Sequence, residues 1–497
     1  MKNGYYFIGI LIVIVILLYI YLERSIEKTI GESLLNQNEI STKIDFKDLK
    51  FNLLRRNLEI QTLQIQQKIN NTDSVNITVP ELVIQNISPD ALQDITQLDI
   101  KTVSIQSPDI SLYRIIDSTL QDSSSQIESP KLQMISIELF NIENGNVKLF
   151  IQDSLRGSLA LKSLRIHDLK HDLLSDKIPS FKSTTSTLTN IDIHLDPFHN
   201  LQIQKCRFDG RDLSIEKLKY YNIFDQDKFQ SMIDYETDWI NVSVDKIMFK
   251  ELEFRELLKQ NVKTEELNIS NPIAIIYKNK RIPHLNKYKP ILTKTLTTLD
   301  NRLQIDTTIV SNASITYLEQ TAIEGSKGKL TLDKSNIFFA PINNHTKQPV
   351  MVKANLFLSG NTPINTTMKI YMDRTNGEFH MTGSVTQLNA DDLNPFVYPS
   401  QNVRTFGFIK DMYFTIEGND ERATGNFKMD YSDFRVELKK QDQKSNRKFL
   451  TGLANLFITN NKSSAKEVSI KQERDQSRSI FNFLWRCILN GMLHTLL

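Results

Sequence analysis

The feature that most constrains the fold is an alternation of apolar and polar residues through much of the chain beyond residue 40. A period of two places apolar side chains on one face of a strand and polar ones on the other. The clearest early pairs are Leu58 with Ile60, Leu63 with Ile65, Ile77 with Val79, and Leu82 with Ile84. The sequence therefore predicts many amphipathic strands, each with one face to be covered.

The alternating patterns recur later in the chain in the same order. Leu58-x-Ile60-x-x-Leu63-x-Ile65 matches Leu213-x-Ile215-x-x-Leu218-x-Tyr220, Asn76-Ile-Thr-Val79 matches Asn241-Val-Ser-Val244, and Ile105-Gln-Ser-Pro108 matches Ile269-Ser-Asn-Pro272. Gly157-x-Leu159-x-Leu161 likewise matches Gly328-x-Leu330-x-Leu332. The series predicts an internal duplication, in which one unit's sheet is continued by the next.

The chain opens on an uncharged apolar stretch of eighteen residues, Tyr5 to Leu22. As a helix it would reach roughly 27 Å, close to the hydrocarbon thickness of a bilayer. Tyrosines stand at both ends, and no small-x-small cleavage site follows. These observations predict an uncleaved transmembrane signal anchor, with the rest of the chain outside the cytoplasm. The membrane-facing residues would be Tyr5, Phe7, Ile10, Leu17 and Leu22. The spacing of Ile26, Ile30 and Leu34 predicts that the helix continues past the anchor.

The last residues, Ser479 to Leu497, read as an amphipathic helix. Its polar residues fall four apart and form one narrow stripe: Asn482, Arg486, Asn490 and His494. The wide apolar face admits two interpretations, packing against the sheet's end or a partner, and lying in a membrane interface.

The pattern as a whole predicts a mainly β protein. An N-terminal transmembrane helix is followed by a repeated, curved, mostly amphipathic sheet, groove-like or sandwich-like, with a few short helices and the C-terminal helix. The predicted divisions are an anchor at 1–24, β-rich repeats at 25–200 and 201–348, a C-terminal β domain at 349–458, and a polar linker and helix at 459–497. Short helices are predicted within Phe224–Trp239 and Pro283–Arg302, a hairpin turn at Asn144-Gly145, and a loose segment over Asn460–Gln476.

Composition and motifs give little support to an enzyme. Basic and acidic residues nearly balance, 60 against 58, so nothing favours nucleic acid as a partner. Two cysteines exclude a disulfide framework. Phosphate-binding glycine loops, nucleophile elbows and metal-binding spacings are missing from the sequence, so no catalytic residue, metal or cofactor is predicted. His194-x-Asp196-x-x-His199 reads as a solvated loop end, and Asp391-Asp392 as helix capping.

One part of the chain resembles the C-terminal domain of the AsmA-like family of bacterial envelope proteins. The resembling residues are Leu388-Asn-Ala-Asp-Asp-Leu-Asn-Pro-Phe396, then Val403–Glu417, Gly418-Asn-Asp-Glu-Arg-Ala-Thr-Gly425 and Phe427–Leu438. Ser479-Ile-Phe-Asn-Phe-Leu-Trp-Arg486 is similar to the closing segment of the Bacteroidota branch of this family.

The resemblance implies a single-pass inner-membrane protein with a periplasmic β-rich body that acts in envelope biogenesis. In larger relatives the sheet forms a groove, apolar inside, that is thought to carry phospholipid. The residues expected to face lipid here are Leu58, Ile60, Ile77, Val79, Leu82, Ile84, Val242, Val244, Ile247 and Phe249. The alternative is a scaffold that assists outer-membrane proteins or their assembly machinery, with sheets that pack on themselves and stay dry.

Overall fold

The structure is a computed structural model that describes residues 2–36, 42–89, 96–116, 133–175, 178–321, 327–374, 376–438 and 466–496, with the side chains of 2–15, 33, 36, 438 and 466 excepted. Strands account for 60% of the residues and helices for 16%. The mainly β character predicted from the alternation is therefore confirmed.

The strands, in chain order, are β1 (Thr42–Asp45), β2 (Asp48–Asn52), β3 (Asn57–Lys68), β4 (Asp73–Ile87), β5 (Gln97–Gln106), β6 (Asp109–Arg114), β7 (Met134–Ile151), β8 (Ser154–Asp172), β9 (Ser183–His194), β10 (His199–Phe208), β11 (Leu213–Asn222), β12 (Trp239–Lys250), β13 (Val262–Ser270), β14 (Ile273–Asn279), β15 (Leu303–Gln320), β16 (Gly328–Ala340), β17 (Ile342–Asn343), β18 (Val350–Leu358), β19 (Thr362–Ile370), β20 (Phe379–Asn389), β21 (Val403–Gly418), β22 (Arg422–Leu438) and β23 (Lys466–Glu473). The helices are α1 (Lys2–Asn36), α2 (Gln226–Ser231), α3 (Phe254–Leu258), α4 (Leu292–Thr297), α5 (Asn394–Gln401) and α6 (Ile480–Leu496), with a 3-10 turn at Ala390–Leu393 before α5.

The predicted transmembrane anchor is wrong. Within the described part of the chain, no helix has both the length and the apolar character needed to cross a bilayer. The described side chains of α1 begin at Ile16, and its charged residues follow from Glu23 onward. Leu17 and Leu22 lie in this part, whereas Tyr5, Phe7 and Ile10 lie outside the residues whose side chains are described. The predicted single-pass membrane localisation is wrong for the same reason.

The second half of α1 instead packs on the β-sheet. The predicted continuation of the helix is confirmed, because α1 runs unbroken to Asn36. Ile26, Ile30 and Leu34 pack against a cluster of buried side chains centred on Phe51 and Leu58. Their i, i+4 spacing places them on one helical face, and that face covers the start of the sheet.

Two carboxylates of α1 also bond the backbone beside β2. The amide of Phe51 donates to Glu27 Oε1 at 2.7 Å, and that of Leu53 donates to Glu23 Oε1 at 3.1 Å. The hydroxyl of Tyr19 donates to the same Glu23 oxygen. Unpaired edge amides are a template for aggregation, and here α1 satisfies two of them.

The chain forms two compact units. The first comprises residues 1–195 and 201–210, and the second residues 196–200 and 211–497. In the first unit β4 pairs with β3 on one side and with both β5 and β6 on the other. β5 and β6 run parallel to the long strand β7; β7 pairs antiparallel with β8, and β8 pairs antiparallel with β9.

The second unit contains the same pairing scheme with the same register. β12 pairs with β11, β13 and β14, and the last two run parallel to β15. In the first unit Leu58 lies opposite Ile84 and Ile105 opposite Ile142; in the second, Leu213 lies opposite Phe249 and Ile269 opposite Val310. Leu58 and Leu213, and likewise Ile105 and Ile269, are positions that the sequence patterns match with one another. The domain boundaries themselves stay a prediction.

The predicted hairpin at Asn144-Gly145 is wrong. β7 runs unbroken from Met134 to Ile151, and Asn144 takes a left-handed backbone conformation within it, with φ of 55°. Asparagine tolerates this conformation both in turns and in single bulged residues, so the dipeptide alone does not separate the two. The register with β8 is continuous across this residue, because Glu143 lies opposite Ser163 and Gly145 opposite Leu161.

Left-handed residues occupy equivalent positions in the two units. Thr62, Ser107 and Asn144 stand at the bend in the first unit, and Lys217, Asn271 and Asn312 in the second. A second bend in the first unit contains Asn86 and Asp168. Ile100 and Ile137, on one side of it, and Val103, on the other, belong to one buried cluster.

The C-terminal part of the second unit is a filled core. β18 to β23 pair in chain order, antiparallel throughout, and their apolar side chains pack with the 3-10 turn, α5 and α6. Phe483 and Cys487 of α6 are buried against this core, so packing on the sheet's end is the interpretation of the last helix that the structure confirms. The loose segment predicted over Asn460–Gln476 is wrong where the structure describes it, because Lys466–Glu473 forms β23.

Gly407 gives a test of the bend in β21. Its φ is +92°, and a Cβ there would lie 2.3 Å from the carbonyl oxygen of Asp433. We expect Gly407→Ala to lower the free energy of unfolding by the roughly 1–2 kcal/mol of a left-handed residue plus about 1–3 kcal/mol of overpacking. The matched control is Gly360→Ala, where φ is +78° and no atom lies within 4 Å. Equal urea midpoints for the two variants would contradict the steric account.

The carboxylates of α1 give a second test. Hydrogen bonds to charged groups contribute about 1.5–3 kcal/mol, so we expect Glu27→Ala to speed hydrogen exchange at the Phe51 amide roughly 10- to 100-fold. Glu23→Ala should act in the same way at Leu53. Glu32→Ala, which removes an exposed carboxylate paired only with Lys28, is the control. Exchange at Phe51 that is unchanged in Glu27→Ala would show that the helix merely lies over this edge.

Candidate functional site

The candidate site is the apolar side of the sheet in the first unit. Aligned side chains from β3 to β8 form three rows that cross the strands. The rows are Ile65, Ile77, Ile110, Val147 and Leu159; Ile60, Leu82, Ile105, Ile142 and Leu164; and Leu58, Ile84, Val103, Phe140 and Ile166. We call these fifteen residues the apolar face. With four strand spacings of about 4.8 Å, each row is roughly 19 Å long.

The opposite face of the same strands is polar. Lys148 Nζ lies 3.2 Å from Asp109 Oδ2, and Arg165 Nη2 lies 3.3 Å from Glu143 Oε1, each pair joining two neighbouring strands. These side chains alternate with members of the apolar face along their strands. The sequence thus fixes which side of the sheet meets water, because a one-residue slip would exchange the two faces.

Burial across the apolar face is uneven. Leu58, Ile60 and Val103 are buried, whereas the row that begins at Ile65 is only half-buried over all five of its strands. α1 is the single helix in the described residues of this unit, and it contacts β1 and β2. Half-buried apolar side chains can be covered further by a hydrocarbon ligand.

The predicted lipid-facing residues of the first repeat come together. Leu58, Ile60 and Val79 are buried in one cluster, and Ile77, Leu82 and Ile84 pack against it half-buried. In the second repeat Val244 is buried, while Val242, Ile247 and Phe249 are half-buried on the face that carries Tyr220, Ile215 and Leu213. Whether any of these residues contacts a lipid stays a prediction.

The second unit also holds a buried ionic cluster that sequence analysis missed. Glu236, whose side chain is 3% exposed, accepts from Arg478 Nη1 at 2.8 Å and lies 3.3 Å from Lys278 Nζ. Asp238 lies 3.0 Å from the same lysine. Burial alone would raise the pKa of Glu236, but the attraction of Lys278 and Arg478 outweighs it and the pKa is lowered. No local motif signals this cluster, since its members are separated by up to 242 residues.

His284 extends this cluster toward Ser477. His284 Nε2 lies 2.9 Å from Ser477 Oγ, and His284 Nδ1 lies 3.7 Å from Glu236 Oε2. The order serine, histidine and acid is that of a hydrolytic triad. The serine hydroxyl, however, donates to Asp475 Oδ1 at 2.6 Å, so His284 Nε2 must be the donor toward Ser477. A histidine in that tautomer cannot take the serine proton, and the cluster joins chain segments rather than activating a nucleophile.

The other polar groups that the sequence analysis singled out bond to residues close to them in the chain. Asp196 accepts from the backbone amides of Phe198 and His199 and lies 2.9 Å from His199 Nδ1, while His194 is exposed. The helical turn at residue 390 is capped by Asn389, whose side chain accepts from the Asp391 amide. Within the described ranges, no group of three histidine, cysteine or acidic side chains is placed to hold a metal ion.

No protein-family model matches the chain, and no curated protein matches it in sequence.

His284 makes stability depend on pH. Burial, then the positive charge of Arg478, lowers its pKa from the ordinary 6.5. Because the folded state binds its proton less readily, this contribution to stability is full above pH 6.5 and is lost as pH falls through the lowered pKa. We expect His284→Asn to reduce the fall in urea midpoint between about pH 8 and about pH 5.5. His345→Asn, at an exposed position, is the control, and an equal effect of the two substitutions would argue against this origin.

Proposed function

We propose that this chain is an AsmA-like lipid-binding protein of envelope biogenesis, and that the apolar face holds the acyl chains of a phospholipid. The observation that carries the proposal is the set of three aligned apolar rows on one side of the sheet, one of them half-buried throughout. Amphipathic strands must cover their apolar side with a second layer or with a ligand.

The dimensions and chemistry of the apolar face suit a hydrocarbon chain. Each row is about 19 Å long, and an acyl chain spans roughly 15 Å, half of the hydrocarbon thickness of a bilayer. Burying a methylene group contributes about 0.8 kcal/mol, so even partial cover of one chain by the sheet gives substantial affinity. The side chains of the three rows are all hydrocarbon, so they select for apolar length and not for a headgroup.

Assignment to the AsmA-like family rests on the sequence resemblance. In the second unit the resembling residues form, in order, the 3-10 turn with α5, then β21, the turn at Asn419 to Glu421, and β22. This order agrees with what the resemblance implies. A phospholipid ligand follows from the apolar face and the family expectation together.

A second candidate function is a scaffold whose sheets bind no lipid. The second unit favours it, because α5 packs on β15 and β16 there. The rings of Tyr317 and Phe396 lie 6.0 Å apart, and a Cβ on Gly328 would lie 3.0 Å from the carbonyl oxygen of Phe396 in α5. The two candidates differ in whether the apolar face of the first unit carries lipid.

Lipid extraction followed by mass spectrometry on the purified chain tests the proposal. We expect co-purified phospholipid in the wild type. Ile84→Asp should reduce it at least about tenfold, because an unpaired charge facing hydrocarbon costs several kcal/mol. Gln85→Asp places the same charge on the exposed, opposite face of β4 and should leave the lipid content unchanged.

A lipid-free wild type that is stable and folded would favour the scaffold. Equal lipid content in the two variants would place the bound lipid elsewhere than on the apolar face.

A further inference from the structure

The segment between β14 and β15 exposes an unusual number of apolar side chains. The short helix predicted within Pro283–Arg302 is present at Leu292–Thr297. Leu296 turns into the core, whereas Leu285, Tyr288, Leu292 and Leu299 are each 42–44% exposed.

The start of α6 lies next to this insert and exposes two aromatic rings. The amide of Lys289 donates to the carbonyl oxygen of Gln476 at 2.8 Å, and the contact between His284 and Ser477 also joins the two segments. Four residues beyond Ser477, Phe481 is 78% exposed, and Trp485 one turn later is 38% exposed. We call the exposed residues of the insert and of the start of α6 the insert surface.

The sequence of the insert is strongly basic. Residues 278–302 contain seven lysines and arginines and a single acidic residue, Asp300, in a chain whose charges otherwise nearly balance. Lys278, Lys280 and Lys294 have carboxylate partners within the unit, whereas Lys287 and Lys289 flank the exposed Tyr288. α6 itself contains no acidic residue.

We propose that the insert surface docks peripherally on an anionic lipid bilayer. Trp and Tyr rings favour the bilayer interface, leucines reach the boundary between headgroups and acyl chains, and lysines are attracted to anionic headgroups. Lys287 and Lys289 supply the positive charge, and Leu285, Tyr288, Phe481 and Trp485 supply the apolar contact. This surface is separate from the apolar face, so the inference goes beyond the proposed function and does not depend on it.

Trp485 supplies a local reporter for the test. The chain has two tryptophans, and the other, Trp239, is buried with its indole nitrogen donating to the carbonyl oxygen of Phe224. The full chain is mixed with vesicles of brominated phosphatidylcholine with and without phosphatidylglycerol. We expect lipid-dependent quenching of emission with the anionic vesicles, and loss of that quenching in Trp485→Phe. Vesicle binding through the apolar N-terminal residues alone would leave Trp485 unquenched.

The charge contribution is tested with Lys287→Gln combined with Lys289→Gln. A basic residue near an anionic surface contributes about 1 kcal/mol, or roughly a fivefold change in binding affinity. The double substitution should therefore weaken the affinity for anionic vesicles, measured by Trp485 quenching, about 25-fold. The control is Lys428→Gln with Lys471→Gln, two exposed lysines that alternate with Phe427 and Ile470, the residues buried under α6.

Three outcomes would overturn the proposal. They are a Trp485 that anionic vesicles do not quench, equal effects of the two lysine pairs, and a Trp485 emission shift that depends on protein concentration and not on lipid. The last would indicate that a second copy of the chain covers the surface.

Discussion

The need to cover one apolar side of each amphipathic strand governs this structure. A flat sheet of such strands would leave a broad hydrocarbon surface in water. Single residues with a left-handed backbone, such as Thr62 and Asn144, lie within the long strands. Ile100 and Val103, on the two sides of a line of such residues, are buried in one cluster. Helices then complete the cover where the chain supplies them, at the start of the first unit through α1 and at the end of the second through α6.

Much of this could be predicted from sequence because period-two alternation is local. The strands, the paired repeats and the last helix follow from patterns within ten or twenty residues. The hairpin predicted at Asn144-Gly145 was wrong because the left-handed conformation that Asn tolerates occurs both in turns and within strands. β23 was missed because Lys466–Glu473 carries mostly charged and polar side chains, as befits a strand at the end of the pairing order. The anchor was inferred from one apolar window without the packing of the residues that follow it.

The candidate site, too, could be predicted from the sequence only in part. The rows of the apolar face follow from alternation once the register is known, and register was implied by the matched patterns. The ionic clusters were beyond prediction, since only the fold brings Glu236 to Arg478. Arg474, fully buried, similarly contacts Asp420, and Lys294 reaches the same carboxylate. Removing one member of such a pair leaves an unpaired buried charge, so these clusters fix the position of the segment before α6.

The two carboxylates of α1 have a consequence for the order of synthesis. A chain is made from its N-terminus, so Glu23 and Glu27 leave the ribosome before Phe51 and Leu53. The amides of these two residues donate to the two carboxylates. The group that protects this edge is thus already present when the strand forms. If α1 were made after β2 instead, each nascent chain would carry a bare edge until translation reached the helix.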